Sequence, residues 1–260
     1  MIEDDFTWVL RKALKGHSLA PTEAAQRAGL QEQEVLAFSK GKFSESVARG
    51  LADALGLRSA ALMAHPGYEP RPLALHGIKR LEMALGDDGT VNAWSVSHGD
   101  VVLLFDTGND PTSAIKALNG VLPDKVFITH AHHDHIAGNP TFAAKGIEIF
   151  GNDIAGAKPI HANEIIHCGS LTLTAVDLSG HARPALGYLI EGLKVPVLVT
   201  GDAIFAGSIG GCENPEIYQV ALHRLHQVLA PLSDATVLLP GHGPATTLGE
   251  ERVSNPFPVF

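Results

Sequence analysis

The chain is short of cysteine, of long apolar runs and of basic residues, and each shortage excludes a class of protein. There are only two cysteines in 260 residues, Cys168 and Cys212, and they lie far apart. That excludes a disulfide framework; both thiols are expected in the core of a protein kept reduced, with the cytoplasm as default setting. No apolar run approaches the roughly 20 residues of a membrane-spanning helix, so no membrane is expected as a partner. The opening Met-Ile-Glu-Asp-Asp lacks a basic segment followed by an apolar one, so no secretory signal is expected. Lys and Arg number 19 against 28 Asp and Glu, for a net charge of −9. Through Pro66 the count is eight of each sign, so the whole acidic excess falls on the remainder. Neither part has the basic surplus that nonspecific nucleic-acid binding uses, so nucleic acid is not an expected partner. Repeats and low-complexity tracts are absent as well.

What is present is the composition of a folded protein, 45% hydrophobic and 18% charged, long enough for one large domain or a medium one with a small companion. Phe6, Val9, Leu10, Ala13 and Leu14 recur at helical spacing. A second helix starts at Pro21 and stops at Gly29, and a third covers Glu32 to Phe38. A fourth runs from a Ser44 cap through Leu55 to Gly56. His65-Pro66-Gly67 and Pro70-Arg71-Pro72 interrupt this pattern, which places a domain boundary there: 1–66 helical, 67–260 the larger unit.

After Leu73 the pattern turns to strands. Ile78–Leu85, Val91–Val96 and Asp100–Phe105 alternate or run apolar, with Gly86-Asp87-Asp88-Gly89 as a hairpin turn. Ser113–Leu118 and the stretch from Pro140 to Lys145 read as helices, and Glu216–Leu229 as a long amphipathic one. Further strands are expected at 147–150, 165–167, 171–176, 186–190, 195–199 and 236–239. Strands interspersed with helices predict an α+β fold of two sheets between helix layers.

The chemistry concentrates after the apolar run Val126-Phe127-Ile128. There Thr129-His130-Ala131-His132-His133-Asp134-His135 holds four imidazoles and a carboxylate, expected in the loop at a strand end. Desolvating so many imidazoles without a shared partner is costly, and a divalent metal is a partner that suits neutral imidazole plus carboxylate. Three later stretches set a ligand-capable residue beside glycine after an apolar run: Ser179-Gly180-His181, Thr200-Gly201-Asp202 and Pro240-Gly241-His242-Gly243.

This H-x-H-x-D-H pattern with its three followers resembles the metallo-β-lactamase superfamily, whose αββα sandwich the strand and helix order fits. The tail after Pro240 and the stretch Thr200–Gly210 look like its glyoxalase II-like branch, whose members hydrolyse thioesters such as S-lactoylglutathione. The resemblance implies a dinuclear site: His130, His132 and His181 on one metal, Asp134, His135 and His242 on the other, and Asp202 bridging. Asp134 and Asp202 would be its catalytic carboxylates, acting with a hydroxide shared by two divalent ions. Zinc comes first among these, with iron or manganese as alternatives. Asp106, in Asp106-Thr107-Gly108, would support the site from behind, and Arg183 and Tyr188 are candidates to reach the substrate. Gly211-Cys212-Glu213-Asn214 and Ala182-Arg183-Pro184-Ala185 depart from that branch where substrate binds, so the reaction class is expected more firmly than the substrate.

The N-terminal run E-A-A-x-x-A-G-L, followed by K-G and L-A-x-A-L-G-L, resembles a phage-repressor-type helix-turn-helix. Its would-be recognition helix carries Glu32 and Glu34 and no Arg or Lys, unlike a segment that contacts phosphate and guanine. The expectation is a metallohydrolase acting on a small-molecule thioester or related ester. Alternatives are a persulfide dioxygenase using a single iron, a lactonase or other hydrolase of the same fold, and a DNA-binding regulator. A homodimer is left open, with the helical segment as its contact. The remaining histidines, His17, His65, His76, His98, His133, His161, His167, His223 and His226, are read as surface, interface or strand-end residues.

Overall fold

The computed structural model describes residues 2–86 and 89–260. Alternation along the strands builds two six-stranded sheets face to face. The first runs in order β1 (Ile78–Ala84), β2 (Thr90–His98), β3 (Val101–Phe105), β4 (Lys125–Phe127), β5 (Glu148–Gly151) and β6 (Lys158–Pro159). β1 to β3 pair antiparallel and β3 to β6 parallel. The second follows the order β14 (Thr246–Thr247), β13 (Val237–Pro240), β10 (Val197–Gly201), β9 (Leu186–Glu191), β8 (Leu171–Asp177) and β7 (Ile165–Cys168). Its one parallel pair is β10 with β13. A two-stranded ribbon, β11 (Ile204–Phe205) and β12 (Ser208–Ile209), follows β10.

Period-2 geometry sorts the side chains into layers. On β3, Leu103 and Phe105 enter the core between the sheets with Phe127, Tyr188 and Val199, while Leu104 faces the opposite side. There it packs under α6 (Ser113–Ala117) and α8 (Asn139–Ala143). The outer face of the second sheet, with Leu198 and Leu238, is covered by α9 (Pro215–Leu229) and α10 (Leu248–Ser254). Two sheets between helix layers is the architecture expected from the sequence. Among the described residues no helix is long and apolar enough to cross a membrane.

The first residues form α1 (Phe6–Gly16), α2 (Pro21–Ala28), α3 (Glu32–Ser39), α4 (Glu45–Leu55) and α5 (Ser59–Ala64). Asp5 caps α1 by accepting from the amides of Thr7 and Trp8, at 2.8 and 3.2 Å. Left-handed glycines close α2 and α4, with φ of 65° at Gly29 and 67° at Gly56. The buried face of α1 (Phe6, Val9, Leu10, Ala13, Leu14) belongs to one continuous core with Ile217, Leu225 and Leu238 of the larger unit. Gly16 lies flat on the Tyr218 ring of α9, where a Cβ would come within 2.5 Å of ring carbons. The helices therefore thicken the outer layer over the second sheet.

Several local expectations need correction. Ser44 stands at the N-cap of α4 but caps no amide, because its hydroxyl pairs with Ser46 Oγ at 3.0 Å. The histidine cluster is not all loop: His133–Ile136 forms a helical turn, α7. α5, α10, β6, β14 and the β11–β12 ribbon, too short or too mixed for a periodic signal, went unread. The hairpin turn expected at Gly86–Gly89 includes Asp87 and Asp88, which lie outside the described residues. His65 is buried, with Nε2 2.9 Å from the Gly207 carbonyl, and burial lowers its pKa.

A buried carboxylate locks the linker to the end of the chain. Glu251 accepts from Tyr68 Oη at 2.6 Å, the Gly207 amide at 2.8 Å, and Thr246 Oγ1 and Asn255 Nδ2 at 2.9 Å each. Removing it strands four donors in a dry place, each costing about 1–3 kcal/mol unless water enters. Glu251→Ala is therefore expected to lower stability by about 3 kcal/mol or more in urea unfolding, with Glu251→Gln losing less; a loss under about 1 kcal/mol would contradict this.

Candidate metal centre

The cluster forms where strand ends of both sheets meet. β4 leads to Thr129 and His130, α7 carries Asp134 and His135, the turn after β8 brings His181, β10 leads to Asp202 and β13 to His242. The structure brings all seven sequence-predicted ligand positions together. His130 Nε2 lies 3.0 Å from His132 Nδ1, which lies 3.2 Å from His181 Nε2. Ligands about 2.0 Å from a tetrahedral cation stand roughly 3.3 Å apart, so this spacing matches an edge of such a coordination shell. Asp202 Oδ2 is 3.5 Å from His181 Nε2 and 3.3 Å from His242 Nε2, while its Oδ1 is 3.3 Å from His135 Nε2. Asp134 Oδ2 is 3.5 Å from His242 Nε2 and 3.8 Å from His135 Nε2. Two donor groups result, His130/His132/His181/Asp202 and Asp134/His135/His242, each with its ligand atoms within 4.8 Å of one another.

Whether a cation fits is tested by the polar atoms left over. Among the described residues, His135 Nε2 and Asp202 Oδ1 are buried and make no hydrogen bond, and they stand 3.3 Å apart. Orphaned polar atoms of this kind are expensive, and two of them aimed at one space ask for a cation.

The opposite edges of the rings are tied down. Asp106 accepts from the Thr129 amide at 2.8 Å and from Thr129 Oγ1 at 2.9 Å, and its Oδ2 lies 2.8 Å from His135 Nδ1. Thr129 Oγ1 is in turn 2.9 Å from His130 Nδ1. His181 Nδ1 meets the Gly211 carbonyl at 3.0 Å and His242 Nδ1 the Thr90 carbonyl at 2.7 Å. Each contact leaves Nε2 free to face the centre. Asp106 holds φ at +59°, a left-handed conformation that Asp tolerates better than most residues. Three glycines permit the crowding: at Gly201 a Cβ would strike Thr129, at Gly210 the Asp202 carbonyl, and at Gly241 the Asp202 carboxylate and His135.

Burial and neighbours set the protons. Burial, then His135, hold the His130 imidazole down at about 2, and burial lowers His181. Burial works against a charged His135, yet Asp202 and Asp106 raise its pKa well above normal. Burial would lower His242 too, but Asp134 and Asp202 bring it to about 10. Burial opposes ionised Asp134 and Asp202, but His242 draws Asp134 down to about 2, and His135 with His242 keeps Asp202 low.

Not every candidate reaches the centre. Tyr188 is buried between the sheets against Phe105 and Phe127, its hydroxyl donating to the Ile128 carbonyl at 2.7 Å; it is a core residue and does not face substrate. Arg183 is exposed, pairs with Glu213 at 3.3 Å and lines a separate recess with Ser179 and Arg224. Cys212 is buried, and burial pushes its thiol up to about 11, away from reactivity.

Supporting residues that went unread are Thr129, Asn92 and Trp94. Asn92 Nδ2 donates to the carbonyls of Pro240 and Gly243, at 3.0 and 2.8 Å, and Trp94 Nε1 to Pro240 at 2.8 Å. They anchor the turn that carries His242. Val91-Asn92-Ala93-Trp94 was visible as a strand, but its hydrogen-bond partners lie about 150 residues away, at separations of 146 to 151. An open cleft of about 1130 Å³ leads to the cluster; His181, Asp202 and His242 line it together with Trp8, Arg11 and Lys15 of α1 and with Glu3, Asp4 and Glu82.

Residues 86–148 match the family model described as the metallo-beta-lactamase superfamily. A hydroxyacylglutathione hydrolase of Dictyostelium discoideum is 34% identical over 51% of this chain and 54% of its own length. The match thus spans about half of that relative. Among solved structures, the BLEG-1 B3 metallo-beta-lactamase superposes on 70% of this chain and all of its own, with a TM-score of 0.61 at 24% identity. TTHA1623 in a di-iron-bound form covers 68% of this chain and 98% of its own, with a TM-score of 0.55 at 25% identity.

Two predictions follow from this geometry. Asp106→Asn keeps the left-handed backbone but removes the charge that orients His135 and Thr129. Its affinity for Zn²⁺ in chelator competition should drop about 10- to 100-fold. His242 keeps its proton up to about pH 10 in the metal-free protein, so a cation arriving near neutral pH must displace it. Cation affinity should therefore rise with pH between 6 and 8, about tenfold per unit for each proton released; a flat profile would contradict the charge balance.

Proposed function

We propose, on the premise that this chain carries a metallo-β-lactamase superfamily domain, that it hydrolyses a thioester of the hydroxyacylglutathione type at two divalent cations. His130, His132 and His181 would hold one cation and Asp134, His135 and His242 the other, with Asp202 between them. Bound there, the cations would activate water near neutral pH and polarise the acyl carbonyl. Water adds its oxygen to the acyl carbon, the carbon–sulfur bond breaks, and the thiol leaves with a proton.

The chain's own residues hold this arrangement in place. Asp202 keeps the donor groups in register, since its two oxygens face histidines of both. Asp106 orients His135 directly and His130 through Thr129. Asp134, kept ionised beside His242 and partly exposed, is available to take a proton at Oδ2.

The observation that carries the reading is the convergence of two donor groups, each with its ligand atoms within 4.8 Å of one another. At their junction the buried His135 Nε2 and Asp202 Oδ1 stand 3.3 Å apart without a hydrogen bond among the described residues. Likeness to a hydroxyacylglutathione hydrolase supports the thioester, and the di-iron relative supports two ions. A single iron held by two histidines and one aspartate would leave four of the seven donors without a task, Asp134, His135 and His242 among them.

The protein purified without chelator should contain two metal ions per chain by elemental analysis and hydrolyse S-lactoylglutathione. Asp202→Ala should retain at most one ion and lose about a hundredfold or more in kcat/KM, beyond the 10- to 100-fold typical of residues that only support ligands. One iron per chain with thiol-dependent oxygen uptake, or no turnover of any thioester or ester by loaded protein, would refute the reading.

A further inference from the structure

The α1 helix divides its two faces sharply. Phe6, Val9, Leu10, Ala13 and Leu14 enter the core, while Trp8, Arg11, Lys12 and Lys15, spaced i, i+3, i+4 and i+7, line the cleft. The helix is fixed in this orientation at both ends. Lys12 pairs with Asp4 and donates to the Ile209 carbonyl at 2.8 Å, close to the Gly211 loop that braces His181. Gly16 is seated on Tyr218.

The cations on this face are not equivalent. Lys12 is consumed by its two partners, and Arg80 across the cleft is held by Glu82 and by Asn92 at 2.6 Å. Among the described residues, neither Arg11 nor Lys15 is paired with a carboxylate. The Arg11 guanidinium lies 4.0 Å from the centre of the Trp8 ring. Trp8 is 46% exposed, a large apolar surface left open in the same cleft. In a chain of net charge −9, the lining of this cleft is balanced, with Arg11, Lys12, Lys15 and Arg80 against Glu3, Asp4, Glu82 and Asp202. Among the described residues Arg11 and Lys15 are the two of these cations not held by a carboxylate, and the open indole lines the same cleft.

We propose that α1 is the carrier-binding wall of this active site: Arg11 and Lys15 hold the anionic end of the substrate's thiol carrier, and Trp8 packs against its body. The inference rests on the thioester reading for the term "carrier". The chemistry it commits to is a thiol bearing fixed negative charge, supplied by the carboxylates of a peptide thiol or the phosphates of a nucleotide thiol. Guanidinium and ammonium groups suit both, and an indole face adds most to a carrier with a planar base. On this view the helical segment belongs to the enzyme's substrate selection.

The test uses thioethers, which bind but cannot be hydrolysed, so binding is read apart from turnover. S-hexylglutathione, S-hexyl-coenzyme A and the uncharged S-hexyl-N-acetylcysteamine are titrated into the metal-loaded full chain. Tryptophan emission is followed; Trp94 is only 2% exposed, so a change reports Trp8. Both charged thioethers, or the better-matched one, should quench emission with an affinity that falls as salt rises. Arg11→Ala and Lys15→Ala should each weaken that binding about tenfold. Both side chains are exposed, so the core face of α1 stays intact in the variants. The stronger charged thioether identifies the carboxylate or the phosphate source.

Equal affinity for the uncharged thioether, unchanged affinity in the double variant, or no binding of either charged thioether would overturn the proposal. Salt-sensitive binding lost in the variants, without turnover of the matching thioesters, would uphold this wall and refute hydrolysis. Turnover whose preference for charged over uncharged thioesters is the same in the double variant would uphold hydrolysis and refute the wall.

Discussion

A carboxylate buried among imidazoles is the constraint on which the rest of this molecule depends. Asp202 is nearly removed from solvent at the end of β10, and an ionised group there is tolerable only if positive charge surrounds it at fixed distances. His135 and His242 meet that demand when protonated, and divalent cations meet it more fully. The strand ends must then approach more closely than side chains allow, so Gly201, Gly210 and Gly241 stand where a methyl group would collide with the site. Asp106 takes a left-handed backbone to reach both Thr129 and His135. Local strain and the loss of side chains at three points are the counterpart of a preorganised centre.

The same constraint reaches into the outer layers. Trp94 and Asn92 on β2 hold the turn that carries His242, so the first sheet positions a ligand that belongs by sequence to the second. Glu251 and His65 grip Gly207 from either side, tying the linker and the last helix to the ribbon that follows Asp202. Through Lys12 the N-terminal helix leans on that ribbon. The helical segment and the metal centre share one continuous packed core, and α1 cannot swing away without exposing Val9, Leu10 and Ala13 together.

Much of this was legible because it is periodic or local. The α1 face repeats every three to four residues, β2 and β3 alternate, and the glycines at 29 and 56 stop helices for a reason of backbone geometry. The donor cluster could be read because His130 to His135 are neighbours in the chain and each later ligand sits beside glycine. Tyr188 shows the converse. Its nearness to His181 in sequence hid the fact that β9 turns it between the sheets, onto the Ile128 carbonyl. His65 looked like a linker histidine, and only packing against Gly207 buries it. The cations of α1 were visible at helical spacing, but nothing local says which surface that face would meet.

The α+β plan of two sheets between helix layers and the seven His and Asp donors were legible in the sequence, since residue type, spacing and the pattern of burial are properties of neighbours. Tertiary structure decided which ring nitrogens face the centre, which tyrosine is core, and that Arg11 and Lys15 line the same cleft as His181 and Asp202. Those outcomes depend on contacts between residues 29, 30, 60 and 152 positions apart, beyond the reach of any local pattern. The chain brings them together only when two sheets close on each other and exclude water from the space between.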